Sequence, residues 1–251
     1  MLILINYLGT NKYTMKNKIG NLYLLPSSLG NQDTNKILPD YNIQIMNQLD
    51  EFIVENARTA RRFLKSAGYT YSLDTIKFHI LDKHTNISEY SSFLNSLLDG
   101  KDIGLLSEAG TPCIADPGSD IVKIAHEKNI KIIPLIGPSS IILSLMASGF
   151  NGQNFAFHGY LPIENNARSK KIKELEKTLF REDQTQIFIE TPYRNMKLLN
   201  SILENCSNKT NLCIASDITL DSEFIISKSI YNWKKNIPEI NKKPTIFLLY
   251  K

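Results

Sequence analysis

The sequence predicts two α/β domains, the first built on a doubly wound, mostly parallel sheet and the second on a mixed sheet. Of the 251 residues, 42% are hydrophobic, which is enough for one large or two small domains with cores of their own. Short apolar runs typical of buried strands alternate with segments of helical periodicity, as in layered α/β folds. One such strand runs into a Gly/Pro-rich loop, at the edge where an open α/β sheet usually holds its ligand.

The first domain is predicted to alternate strands and helices. The strands are expected near 22–25, 51–55, 76–80, 102–106 and 131–133, and the helices near 59–67, 88–98 and 119–128. The second set is expected to comprise helices near 139–147, 169–179 and 195–205, and strands near 155–158, 186–189, 212–215, 224–228 and 245–250. We place the domains at 18–135 and 136–251, with 1–17 as a weakly packed extension.

Two loops contain the residues that suggest a ligand-binding site. After the apolar strand ending at Leu106 comes SEAGTPCIADPG, in which Gly110 and Pro112 stop regular structure and leave the backbone open to a small molecule. A second loop, IGPSSI at 136–141, opens an apolar helix, where Ser139 or Ser140 is predicted to cap the helix or to hydrogen-bond a ligand. By itself, a Gly/Pro-rich loop after a strand is as often a plain connection as a functional site.

Taken together, these two loops resemble the tetrapyrrole methylase superfamily, and within it the branch that 2′-O-methylates a cytidine of 16S ribosomal RNA. That branch reads approximately SDAGTP, then DPG, then PGP. Porphyrin-type members instead have GGDP where this chain has Ala109 to Pro112. The loop therefore favours an RNA acceptor over a porphyrin.

The resemblance extends along most of the chain. LYLLPSSLGNQD keeps the Gly30, Asn31 and Asp33 of a TPIGNLxD loop, and VENAR keeps Glu55 and Arg58 of AEDTR. Two further segments match in part: FHGYLP resembles EGFLP, and IFIETPYR resembles IFYESxHR. In IASDITLDSE, Ser and Asp at 216–217 replace the Arg-Glu pair of an ARELTKxxE pattern.

The resemblance implies S-adenosylmethionine as the cofactor, bound in a cleft between the two domains of a homodimeric protein. The expected cofactor-binding residues are Ser107, Ala109, Gly110, Thr111, Pro112, Ser139, Ser140, Ile189, Ala215, Pro244 and Thr245. The implied partner is 16S rRNA or the small ribosomal subunit.

Methyl transfer to a ribose hydroxyl gains from a base that accepts its proton, and Glu190 is the first candidate. A salt bridge to Arg194, four residues on, is an equally weighted structural interpretation. Glu108 and Asp116 are alternative bases, although Asp116 fits better as the N-cap of the following helix. A lone His158 at a strand end fits a packed or hydrogen-bonded residue better than a catalytic one.

The net charge of +4, from 29 Lys and Arg against 25 acids, is too small to establish nucleic-acid binding. Basic residues nevertheless cluster along the predicted helix after Arg58 and again after FHGYLP. We take Arg58, Arg168, Lys170 and Arg194 as substrate-binding candidates. A solvated helix face explains the second cluster nearly as well.

Other classes of function fit less well. No apolar run approaches the roughly 20 residues of a membrane span, and the three scattered cysteines suit a cytoplasmic location. No metal is expected, because the acids and histidines lack ligand spacing, and neither a Walker loop nor GxGxxG is present. Two alternatives stay open: a methyltransferase acting on a tetrapyrrole precursor, and an S-adenosylmethionine-binding module without catalysis.

Overall fold

The structure, a computed structural model, describes residues 18–30 and 33–251. The predicted extension at 1–17 and the motif residue Asn31 lie outside the described residues.

The first sheet contains five strands, all parallel, in the order β3-β2-β4-β1-β5. Its strands are β1 (Asn21–Leu25), β2 (Glu51–Val54), β3 (Lys77–Ile80), β4 (Ile103–Leu106) and β5 (Lys131–Pro134). β2 and β4 are buried along their whole length, which is why both read as continuous apolar runs. The prediction of a doubly wound parallel sheet is confirmed.

Helices cover both faces of this sheet. They are α1 (Asp40–Met46), α2 (Ala57–Ser66), α3 (Ile87–Tyr90), α4 (Asn95–Leu98) and α5 (Gly118–Glu127). α1 and α2 pack with Phe52 on one face, while α3, α4 and α5 pack with Ile53 on the other. The helix predicted at 88–98 was wrong in its continuity, because a 3-10 segment at Ser91–Leu94 separates α3 from α4. α1 was not predicted.

The second sheet is mixed, as predicted, with the order β6-β7-β10-β8-β9. Its strands are β6 (Phe155–Tyr160), β7 (Thr185–Ile189), β8 (Asn211–Ser216), β9 (Phe224–Ser229) and β10 (Thr245–Tyr250). β6 and β7 are parallel, whereas β10 lies antiparallel between β7 and β8. The first residues of β10 therefore lie beside the last residues of both neighbours.

Four helices pack on the second sheet: α6 (Ser140–Ser148), α7 (Asn165–Glu182), α8 (Asn195–Asn205) and α9 (Ile230–Lys235). α7, α8 and α9 share one core, with Trp233 of α9 almost fully buried. α6 covers the opposite face, where Leu145 packs with Ile187 and Leu248. Leu29, which follows β1 in the first sheet, packs against this same cluster and so connects the two halves of the molecule.

Candidate active site

A cavity of about 250 Å³ lies where the two sheets meet. Its size is close to the lower limit of roughly 300 Å³ for small-molecule sites. Its walls are mainly apolar, with a few polar groups. The lining residues are Leu29, Ala109, Ser140, Tyr160, Ile189, Glu190, Pro192, Ala215, Asp217, Ile218, Pro244, Thr245 and Ile246.

The strand register of the second sheet builds one wall. Ile246, near the start of β10, pairs with Ile189 at the end of β7 and with Ala215 near the end of β8. Three residues far apart in the chain thus form one row across three strands. Beside that row, the Thr245 and Ser216 hydroxyl oxygens lie 2.8 Å apart, and the Asp217 amide donates to the Pro244 carbonyl at 2.9 Å.

The loops after β1 and β4 form the opposite wall, at the carboxyl edge of the parallel sheet. Ser107 is buried, and its hydroxyl donates to the Gly110 carbonyl, which also accepts the Ser27 amide at 2.9 Å. Gly110 has φ +73°, and a Cβ there would lie 3.0 Å from Leu29 and 3.1 Å from the Pro138 carbonyl oxygen. This loop can therefore approach its neighbours closely only with glycine at that position.

The IGPSSI loop reaches the cavity through Ser140, the first residue of α6. Ser139 occupies the N-cap, but its side chain makes no capping hydrogen bond, so of the two predicted roles the capping one is not observed there and the ligand-binding one stays a prediction. The chain approaches β1 closely at Gly137, where a Cβ would lie 2.2 Å from Pro26. That contact requires glycine and brings the loop beside the end of β1.

Two carboxylates line the cavity, each beside a basic side chain. Glu190 Oε1 accepts hydrogen bonds from the Thr191 amide at 2.7 Å and from Arg194 Nε and Nη2 at 2.9 and 2.6 Å. Asp217 Oδ2 accepts the Ser222 hydroxyl at 2.9 Å and lies 3.5 Å from Lys243 Nζ. The salt-bridge interpretation of Glu190 is thus confirmed, and Asp217 is a second buried carboxylate that the sequence did not single out.

A second, larger cavity of about 350 Å³ adjoins the first, with which it shares Leu29 and Ala109. It is lined by Ser28, Leu29, Gly30, Thr59, Arg62, Phe63, Ser66, Glu108 and Ala109. Most of these residues belong to α2 or to the loops after β1 and β4. The two cavities together form one site with two compartments.

Six of the predicted cofactor-binding residues meet at the first cavity: Ala109, Ser140, Ile189, Ala215, Pro244 and Thr245. Ser107, Gly110, Thr111, Pro112 and Ser139 do not line it, although Ser107 and Gly110 position the loop that does. The sequence missed Leu29, Tyr160, Pro192, Asp217, Ile218 and Ile246. All six lie inside or directly beside segments that the resemblance marked. Those segments were the sequence signal that could have identified them.

The substrate-binding candidates are dispersed. Arg58 is exposed in the first turn of α2, one turn before Arg62 of the second cavity, and Lys170 is exposed on α7. Arg194 does not itself line the first cavity but pairs with Glu190, which does.

The prediction that Arg168 binds substrate is corrected by the structure. Only 3% of the residue is exposed, and its guanidinium donates to the Ser201 hydroxyl, the Ile163 carbonyl and the Asn165 amide oxygen. These donors are already used inside the protein, so Arg168 holds the start of α7 in place.

The alternative acids lie at the edge of the parallel sheet. Burial raises the pKa of Asp116, although its carboxylate accepts the amides of Cys113 and Gly118. Pro117 occupies the N-cap of α5, so Asp116 satisfies an amide of the first turn from one position earlier than predicted. Burial, followed by repulsion from Asp116, raises the pKa of Glu55. His158 is hydrogen-bonded to Gln186 at 2.7 Å, as expected for a packed histidine.

Other kinds of site find little support in the part of the chain that the structure describes. Burial raises the pKa of the Cys113 thiol to about 12, which argues against a nucleophilic role. Within 18–30 and 33–251, no three His, Cys, Asp or Glu side chains are grouped so that they could hold a metal ion. Over the same residues, every helix is too short or too polar to cross a bilayer.

No protein-family model matches the chain. Curated proteins do. Ribosomal RNA small subunit methyltransferase I from Vibrio cholerae is 30% identical over 216 residues, which cover 86% of this chain and 71% of that protein. The protein of the same name from Buchnera aphidicola subsp. Schizaphis graminum is 32% identical over 239 residues, covering 93% and 79%.

Solved structures share the fold at lower identity. The methyltransferase CobJ superposes with a TM-score of 0.62 at 14% identity, over 92% of this chain and 94% of that chain. Uroporphyrin-III C-methyl transferase from Thermus thermophilus, complexed with S-adenyl homocysteine, gives a TM-score of 0.58 at 12% identity, over 92% and 98%. The fold that the sequence resemblance implied is confirmed.

Proposed function

Because this chain belongs to the ribosomal RNA small subunit methyltransferase I family, it is a methyltransferase, and we propose that it methylates the 2′-hydroxyl of a cytidine in 16S rRNA. The methyl donor is S-adenosylmethionine. The observation that carries the proposal is the 250 Å³ cavity, where loops from both sheets meet beside a second compartment large enough for an acceptor.

The residues of the first cavity fit this donor. S-adenosylmethionine supplies an activated methyl carbon on a positively charged sulfur. Ile189 and Ile246 offer apolar surface to an adenosine group, and the Ser140 hydroxyl can hydrogen-bond its polar atoms. The Glu190 and Asp217 carboxylates line the same cavity, and each is paired with a basic side chain, Arg194 and Lys243 respectively.

Positioning supplies most of the catalysis that such a reaction needs. The donor, when bound, would supply its methyl group to the ribose 2′-oxygen and leave as a neutral thioether. The residues of the site would have to align the ribose hydroxyl with the donor and accept its proton. We propose Glu190 as the base that accepts it. Its Oε1 is held by Arg194 and the Thr191 amide, which fixes the carboxylate and directs the proton to Oε2.

Glu190→Gln tests this role and Asp217→Asn is the matched control, since each removes one buried carboxylate of the cavity. We expect Glu190→Gln to lower kcat by about 10²- to 10⁴-fold, the usual contribution of a general base. Donor affinity, measured by calorimetry, should change much less than kcat. An active Glu190→Gln together with an inactive Asp217→Asn would transfer the role to Asp217.

An RNA acceptor is favoured over a tetrapyrrole precursor by Ala109–Pro112, which reads AGTP where porphyrin-type relatives have GGDP. The exposed Arg58 and Arg62 on α2 suit phosphate contacts beside the second compartment. The test is transfer of tritiated methyl to small ribosomal subunits that lack the modification, compared with transfer to a uroporphyrinogen. Label on the tetrapyrrole alone would contradict the proposal. Since ribosomal subunits are the proposed partner, we also propose a cytoplasmic location.

We propose that the protein acts as a homodimer, and the surface of α6 supports this. Ile142 and Met146 are 45% and 73% exposed one turn apart on α6, and clustered exposed apolar side chains mark interaction surfaces. Met146→Glu should place a charge in the interface and shift the protein to monomer. Sedimentation of the wild type as a monomer would refute the dimer.

A further inference from the structure

The residues that line the second compartment indicate which base the enzyme accepts. Leu29 and Ala109 line both cavities, so a nucleoside in the second compartment would lie directly beside the methyl donor. Glu108 precedes Ala109 in the chain and faces this compartment, as does Thr59 on α2.

Thr59 and Glu108 are already in contact. Thr59 Oγ1 donates to Glu108 Oε1 at 2.6 Å. The backbone of Thr59 is fixed by the N-cap of α2, since Asn56 Oδ1 accepts the Arg58 and Thr59 amides. The Thr59 hydroxyl has one hydrogen and a second acceptor within reach, the Asn56 carbonyl oxygen at 2.9 Å, so a base nitrogen would have to take that hydrogen in place of Glu108 Oε1. The pair thus places one acceptor, the exposed Glu108 carboxylate, beside one hydroxyl donor.

This arrangement matches one class of base edge. Cytosine and adenine present an amino donor next to a ring-nitrogen acceptor, whereas uracil and guanine present a carbonyl acceptor next to a ring N–H donor. A carboxylate can only accept hydrogen bonds and a hydroxyl can donate. Glu108 would accept the amino hydrogen while Thr59 donates to the ring nitrogen. Uracil in the same position would place its carbonyl oxygen against the carboxylate.

We propose that Thr59 and Glu108 read the amino edge of the acceptor base and thereby make the enzyme select cytidine over uridine. The inference rests on the proposed function and adds to it the residues that determine specificity. Phe63 and Arg62 line the same compartment. An aromatic ring and a guanidinium are the groups that contact unstacked bases and phosphates in RNA sites.

The test uses small subunits reconstituted from 16S transcripts that carry either C or U at the position methylated by the wild type. Wild-type kcat/KM should favour C by roughly 5- to 150-fold, the range for one bidentate base contact. Glu108→Gln should lower the rate on C and bring the C/U ratio toward parity, because an amide can accept from cytosine or donate to uracil. Glu127→Gln, an exposed acid at the end of α5, is the matched control and should keep the wild-type ratio.

The affinity for S-adenosylmethionine distinguishes a loss of base specificity from a loss of folding. Glu108 does not line the first cavity, so Glu108→Gln should bind S-adenosylmethionine as the wild type does. If that variant does not fold, Thr59→Val decides, since loss of the hydroxyl donor should lower the rate on C alone. An unchanged C/U ratio in a folded variant would overturn this inference and leave the proposed function intact. A wild type that methylates neither RNA would overturn both.

Discussion

Replacing Gly110 by alanine tests how the cavity wall is built. Gly110 has φ +73°, and a Cβ would meet Leu29 at 3.0 Å and the Pro138 carbonyl oxygen at 3.1 Å. Leu29 lines both compartments and packs against the second sheet. The added methyl should therefore strain the loop and displace a residue that lines the proposed donor cavity.

Gly68→Ala is the matched control, because Gly68 also has a positive φ, of +81°, but a Cβ there would meet nothing within 4 Å. Both variants bear the cost of a left-handed non-glycine residue, about 1–2 kcal/mol. Gly110→Ala alone bears the cost of overpacking, about 1–3 kcal/mol more. We therefore expect losses in the free energy of unfolding of about 1–2 kcal/mol for Gly68→Ala and about 2–5 kcal/mol for Gly110→Ala.

Urea denaturation measures the stabilities, and calorimetry measures S-adenosylmethionine affinity. The displaced Leu29 should cost about 1 kcal/mol of binding, or roughly a fivefold higher Kd, in Gly110→Ala only. Equal stability losses in the two variants, with donor affinity unchanged in both, would refute the role given to this loop.

Two further predictions concern stability. Arg168→Ala should lower the free energy of unfolding by about 2–4 kcal/mol, because three hydrogen bonds from a buried guanidinium disappear. Lys170→Ala, at an exposed position, should change it by less than about 0.5 kcal/mol. Equal losses for the two variants in urea denaturation would contradict the buried role of Arg168. Burial raises the pKa of Glu51, but hydrogen bonds from His79 and two further donors outweigh burial and hold that pKa below its ordinary 4.5. The contribution of Glu51 to folding stability should therefore be complete above pH 4.5 and should decline as the pH falls through the lower pKa of the folded state. The stability advantage of the wild type over Glu51→Gln should shrink over that acid range, and a constant advantage would count against it.

Much of the fold was predictable because local pattern and tertiary structure agree. Strands β2 and β4 are buried on both faces, so their apolar runs were unambiguous. α1 was missed, since its sequence DYNIQIM is short and lacks a side-chain N-cap. The break between α3 and α4 depends on how Tyr90 and Phe93 pack against the sheet, which a periodic pattern does not reveal.

The site was predictable in its loops but not in its individual side chains. Of the six predicted residues that line the first cavity, Ile189, Ala215, Pro244 and Thr245 lie where β10 meets the ends of β7 and β8, and Ala109 and Ser140 lie in the two loops that the sequence marked. Asp217 was missed because it stands where the family pattern has another residue, and its role depends on Lys243 and on a φ of +51°. Arg168 was misassigned because its charge suggested a surface role, whereas its three acceptors come from tertiary contacts.

Identifying the methylated nucleoside decides whether this chain methylates the 2′-hydroxyl of a cytidine in 16S rRNA. Small subunits lacking the modification would be treated with the protein and S-adenosylmethionine, and the 16S rRNA digested and analysed by mass spectrometry. We expect one 2′-O-methylated cytidine, absent without protein and strongly reduced with Glu190→Gln. A methyl group on a base, or no methylated nucleoside despite donor binding measured by calorimetry, would contradict it.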